Sequence, residues 1–123
     1  MTRTVDVVIV GMSTTGRAAA IDAAGRGRRV LVVDKSRNES HWQALRRSMN
    51  AAGDGCRRRV SMLTGVEVLW VDGTSGVEVV LLRQIKNGRL IGINTGAVLL
   101  TTALSAGVIA PMLRAEVLQG NAK

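Results

Sequence analysis

The segment Val7-Val8-Ile9-Val10-Gly11-Met12-Ser13-Thr14-Thr15-Gly16-Arg17-Ala18-Ala19-Ala20 restricts the possible folds of this chain more than any other feature. Residues 5–10 form a β-branched run broken only by Asp6, and it stops at Gly11, the pattern of a buried strand. Residues 14–24 are Ala-rich and are followed by Gly25 and Gly27, so they read as a short helix with stop signals. A second apolar run over 30–33 ends at Asp34. Strand, helix and strand within about 30 residues make a βαβ unit, whose crossover is right-handed.

The rest of the chain continues the alternation. Ser40 is placed to cap a second helix running through Trp42, Leu45 and Met49 to Ala52, and the Gly- and Arg-rich stretch 53–59 reads as a loop. Apolar runs at 60–63, 66–71, 77–83 and 90–94 are separated by Thr64-Gly65, by Asp72-Gly73 with Gly76, and by Asn87-Gly88. The last three runs are therefore expected to form an antiparallel meander. Residues 97–101 suit a central parallel strand, and 110–118, with Pro111 in the first turn, suit a closing helix. The expected fold class is α/β: a Rossmann-like three-layer domain with a parallel sheet of three or four strands and an antiparallel β-meander.

With 123 residues the chain is expected to be one domain, 1–123, since domains commonly hold about 100–200 residues. Hydrophobic residues make up 46% and aromatics only 2%, so the core must come from Val, Leu, Ile and Ala, which is the filling of a parallel sheet. One cysteine and one histidine exclude a disulfide scaffold and a Cys- or His-built metal site, and no metal is expected. The apolar run before Gly11 is too short for a signal-peptide core. No stretch approaches the ~20 residues of a membrane span, so a soluble, cytoplasmic protein without a membrane partner is expected.

The balance of 17 Lys+Arg against 9 Asp+Glu gives +8, which suits an anionic partner. The basic residues cluster at Arg26, Arg28 and Arg29, at Arg46 and Arg47, and at Arg57 to Arg59, beside glycines or at helix ends. There cations complement the helix dipole, and the plain reading is a solvated surface. Nucleic acid is disfavoured because only Trp42 and Trp70 are present to stack on bases.

A dinucleotide pyrophosphate needs a tight strand-to-helix turn, close backbone approach and helix N-terminal amides. Gly11 supplies the turn and Gly16 the close packing of helix on sheet, with Ala20 small on the same face. The middle glycine of the G-x-G-x-x-G pattern is replaced by Ser13, whose Cβ crowds the ligand. Ser13, Thr14 and Thr15 add hydroxyls within reach of phosphate oxygens. Asp34, 18 residues past Gly16, is placed to accept hydrogen bonds from ribose hydroxyls.

At this level VDVVIVGMSTTGRAAAIDAAGRGRRVLVVDKS resembles the opening of two-dinucleotide-binding-domain flavoproteins, where this segment binds the ADP half of FAD. The stretches SMLTGVEVLWVDG and GVEVVLLRQIKNGRLIGINTGAVLLTTALSAGVIAPMLRAE resemble the returning half of the FAD domain in the fumarate reductase and succinate dehydrogenase flavoprotein family. The resemblance implies pyrophosphate and ribose contacts at Gly11, Gly16 and Asp34, an adenine contact from the Val68 backbone, and a turn near the flavin at Thr101, Thr102 and Ala103. That turn is usually written ATGG in the family and has lost a glycine here. Flavin-contacting segments of the family have no counterpart between Ser36 and Ser40, which leads to the expectation that another subunit completes the active site.

The function implied is the FAD-binding domain of a flavoprotein oxidoreductase. The alternatives are an NAD(P)H-binding module similar to that of thioredoxin-reductase-like enzymes, with NADH or NADPH as cofactor, and a non-catalytic basic binding module. The resemblance names no catalytic residue in this chain. Lys35 follows Asp34 where a base meets a 2′-phosphate, whereas Asp34 repels one and favours FAD or NADH. His41, at the expected helix start, reads as solvated or capping. Cys56, flanked by arginines and without a second thiol, reads as an incidental loop thiol. Met49, Met62 and Met112 read as core fillers.

Overall fold

The computed structural model describes residues 2–35, 39–74, 77–101 and 117–119. Along the chain run β1 (Thr2–Val10), α1 (Thr14–Gly25), β2 (Val30–Asp34), α2 (Glu39–Ala52), α3 (Asp54–Arg59), β3 (Val60–Thr64), β4 (Val66–Thr74), β5 (Val77–Gln84), β6 (Leu90–Leu100) and β7 (Val117–Gln119). The strand order is β3-β2-β1-β6-β5-β4. Pairing is parallel from β3 through β6 and antiparallel through β5 and β4. β7 lies off this path, parallel to residues 98–100 of β6, beyond the stretch that β5 covers.

Alternation of side chains along the strands creates two cores, one on each face. Ile9, Val30, Val32 and Val60 face α1, α2 and α3, meeting Ala20, Ala24, Leu45, Met49 and Cys56. Val8, Val10, Leu31, Val33, Val98 and Leu100 face the meander, meeting Val66, Val68, Val71, Val80 and Leu82. The architecture is therefore the expected α/β Rossmann-like arrangement of helices, parallel sheet and meander. Each fully buried Val or Leu contributes about 1.5–3 kcal/mol. α1 buries Gly16, Ala20 and Ala24, spaced four apart, and their small size brings its axis close to the strands. α2 turns Leu45 and Met49 inward with Trp42 partly covered, as the i, i+3, i+7 stripe predicts.

Asp6, which interrupts the first apolar run, has a structural use. The amides of Asp6 and Val7 both donate to the Arg29 carbonyl, at 2.9 and 3.1 Å, and the Asp6 carboxylate accepts from the Arg29 amide at 2.7 Å. This local irregularity lets Val5 and Val8, three apart, both enter the meander-side core.

Five expectations need correction. Residues 54–59 are helical, because a short turn following α2 directs Cys56 into the core while Arg57, Arg58 and Arg59 occupy its last turn, where cations suit the dipole. α2 begins at Glu39, so Ser40 lies inside the helix rather than capping it. Asp72 and Gly73 are paired with Val79 and Glu78, so β4 runs past the expected turn to Thr74. The runs 90–94 and 97–101 are one strand, β6, since β1 pairs with it from Gly92 to Leu100, across Gly96, while β5 takes its other edge as far as Thr95. Val117–Gln119 is a strand instead of the end of a helix, because the edge of β6 past Thr95, which β5 leaves open, offers it a ladder. The rest of the expected closing helix, with Pro111 and Met112, lies outside the described residues.

Candidate functional site

Three parallel strands end side by side where β1 is flanked by β2 and β6. The chain leaves β1 through α1 toward β2, while β6 arrives from the meander, so this is the switch point at which α/β sheets bind ligands. Gly11 takes φ +110°, a conformation that favours glycine, and its amide donates to the Val33 carbonyl at 2.8 Å. Gly16 is held against the same turn. A Cβ there would stand 2.3 Å from the Gly11 carbonyl oxygen and 3.2 Å from Thr101 Oγ1. Both glycines of the motif are thus demanded by the backbone itself.

Ser13 has an ordinary extended backbone, φ −63° and ψ 173°, and is the N-cap of α1. Its hydroxyl accepts from the Gly16 amide at 3.3 Å, and its carbonyl accepts from Arg17 N at 2.9 Å. The serine therefore occupies one helix-terminal donor itself, where the sequence suggested a hydroxyl directed at phosphate. Helix geometry leaves the amides of Thr14 and Thr15 without intrahelical acceptors, both residues are exposed, and the first turn of α1 carries no acidic residue. This is a positive helix end that suits an anion.

Asp34 closes β2, and its Oδ2 accepts from the Met12 amide at 2.9 Å. The carboxylate is thereby fixed beside the turn, while the Met12 side chain is buried beneath it. Thr101 follows β6, and its amide and hydroxyl both donate to the Val10 carbonyl, at 2.9 and 2.7 Å. Lys35 is exposed and lines a cleft of about 310 Å³ with Gly65, Ile85 and Lys86. Val68 is buried in the meander core. Thr102 and Ala103 lie outside the described residues. The structure thus brings Gly11, Ser13, Thr14, Thr15, Gly16, Asp34 and Thr101 together at one end of the sheet.

Arg17 was missed in the sequence. Its guanidinium folds back to donate to the Met12 carbonyl at 3.0 Å and to Thr14 Oγ1 at 3.3 Å, which places a cation over the turn. Its position one residue after the last glycine of the motif was the available signal. Lys86 was missed too, since only folding of the β5–β6 turn toward Gly65, through Ile85 N donating to the Gly65 carbonyl at 2.9 Å, brings it near Lys35.

Cys56 is a buried core residue on α3 and not a loop thiol. Burial pushes its thiol above the ordinary value, with Arg59 offsetting part of the rise, so activation by the neighbouring arginines loses to desolvation. Among the described residues no group of His, Cys, Asp or Glu is arranged to hold a metal ion, and no helix is long and apolar enough to cross a membrane.

No family model matches the chain, and no curated protein matches it in sequence. Solved structures do match. The flavin-dependent monooxygenase PieE, in complex with FAD and substrate, superposes on 89% of this chain with a TM-score of 0.64 at 11% identity. The chain shares its fold with flavoproteins. A flavoprotein/dehydrogenase from Cytophaga hutchinsonii matches 79% of the chain with a TM-score of 0.60 at 14% identity, and the Mycobacterium smegmatis Sdh1 complex matches 82% with a TM-score of 0.66 at 14% identity. The chain spans 32%, 38% and 34% of these three proteins, respectively, about a third of each.

Proposed function

We propose that the chain is the FAD-binding portion of a flavoprotein oxidoreductase and that it holds the ADP half of the cofactor. The observation that carries this reading is the contact of Gly11 with Gly16, which opens the N-terminus of α1 beside the Asp34 carboxylate at the switch point of the sheet. The residues present fit the group. Thr14 and Thr15 offer exposed helix-terminal amides to the pyrophosphate, Arg17 adds a positive charge, and Asp34 accepts from ribose hydroxyls. The main chain of Val68 meets the adenine, and Thr101 lines the approach to the flavin. FAD supplies hydride and electron transfer, and the protein supplies its position. Another subunit completes the flavin side of the site, so the isolated chain binds cofactor without turnover.

The NAD(P)H-binding alternative is favoured by one observation, the cleft lined by Lys35 and Lys86 beside the end of β2, which suits a 2′-phosphate. Gel filtration of the chain after incubation with FAD, followed by absorbance at the flavin bands, tests the first reading. Titration with NADH and NADPH on the same sample tests the second. Retained flavin supports the proposal, and binding of NADPH alone replaces it with the alternative.

A further inference from the structure

The N-terminal end of β3 carries a cleft of about 570 Å³, lined by Arg46, Arg57, Arg58, Met49, Val60 and Met62 among others. The register places Val60 opposite Val30 at the start of β2 and Thr64 opposite Asp34 at its end, so this cleft and the nucleotide turn lie at opposite ends of the same strands. Among the described residues β3 pairs only with β2, which makes it an edge strand of the sheet with main-chain donors and acceptors along its outer side. Val60 and Met62 face the helix layer and, with Met49, give the cleft an apolar floor, while the exposed arginines of α2 and α3 form its rim.

We propose that this edge binds an extended acidic polypeptide segment, which adds as a strand beside β3 and lays its carboxylates against Arg46 and Arg58. The main-chain edge supplies the hydrogen bonds, the floor takes alternate apolar side chains, and the arginines select charge. Competing occupants fit less well. A second copy of the chain would bring the same arginines against these. A nucleic acid would find no stacking aromatic, since Trp42 packs against the helix-side core and Trp70 stands on β4 at the other end of the strand order. Single exposed ion pairs are weak, so the arginines must act together with the strand edge.

Fluorescence polarisation on the full chain tests this with labelled probes: a peptide alternating Glu and Val, the same peptide with Lys for Glu, the acidic peptide with prolines at alternate positions, and a single-stranded oligonucleotide of equal charge. The Glu-Val peptide is expected to bind. The Lys and proline peptides are expected to bind at least about tenfold more weakly. Arg46→Glu combined with Arg58→Glu should weaken the acidic peptide by about tenfold or more, while Arg89→Glu, on the β5–β6 turn, should change it little. Tighter binding of the oligonucleotide, equal binding of the proline peptide, or indifference to the double reversal would overturn the proposal. FAD retention measured on the same variants separates the two sites, because the reversals leave the turn at Gly11 untouched.

Discussion

Gly16 and Gly11 touch so closely that one added carbon atom, a Cβ on Gly16, would stand 2.3 Å from the Gly11 carbonyl oxygen. No rotamer relieves this, because both partners are main chain, and either the strand end or the first turn of α1 must move. Gly16→Ala should therefore destabilise the protein by about 3 kcal/mol. Gly25→Ala is the matched control, with nothing within 4 Å of its Cβ, and should be neutral or stabilising by about 0.5 kcal/mol. Urea denaturation of both variants decides it, and equal midpoints would show that the contact is not a constraint.

Ser13→Gly should tighten FAD binding by about tenfold, the equivalent of one regained amide bond to a charged phosphate. The variant loses a cap on the Gly16 amide at a cost of only a few tenths of a kcal/mol. It also removes the Cβ that crowds the ligand. Calorimetric titration measures both affinity and the small loss of stability. Weaker binding would mean that the hydroxyl contributes more as a ligand than it blocks.

Arg17→Ala should weaken FAD by about tenfold and flatten the dependence of affinity on salt, since a cation above the turn is lost. The fold should persist, because among the described residues the guanidinium bonds only to the Met12 carbonyl and Thr14 Oγ1. Unchanged salt dependence would assign Arg17 to turn geometry alone.

Asp34→Ala should weaken FAD and NADH through the loss of ribose hydrogen bonds and the release of the Met12 amide. A 2′-phosphorylated ligand should suffer less, because a nearby negative charge disappears while Lys35 and Lys86 remain. Parallel titrations with FAD, NADH and NADPH give the ordering, and equal losses for all three would remove Asp34 from the discrimination.

Cys56 should react slowly with thiol reagents in the folded protein and quickly once it is unfolded, because its thiol is buried and held above its ordinary value. The folded state binds this proton more tightly than the unfolded state, so the contribution to stability is complete below the ordinary thiol value. It is lost as pH rises toward the folded value. Cys56→Ala should remove that alkaline slope at a cost of about 1 kcal/mol. The chain has no tyrosine to obscure it. A slope that survives the substitution would point to other groups.

Local pattern alone determined the βαβ unit, the meander and the glycine turn between β1 and α1, because each is written in neighbouring residues: β-branched runs, small residues four apart in α1, and glycines where φ is positive or backbones touch. It determined Gly11, Gly16 and Asp34 as one group, since a strand–turn–helix–strand path brings them together whatever follows. Tertiary structure decided what depends on distant partners. β6 is one strand because β1 pairs along it on both sides of Gly96, and Val117–Gln119 is extended because the end of β6, past the reach of β5, offers a free edge. Arg57 to Arg59 form a helical turn because Cys56 is drawn into the core. Lys86 reaches the neighbourhood of Lys35 only when the β5–β6 turn folds against Gly65, a contact between residues that no local pattern relates.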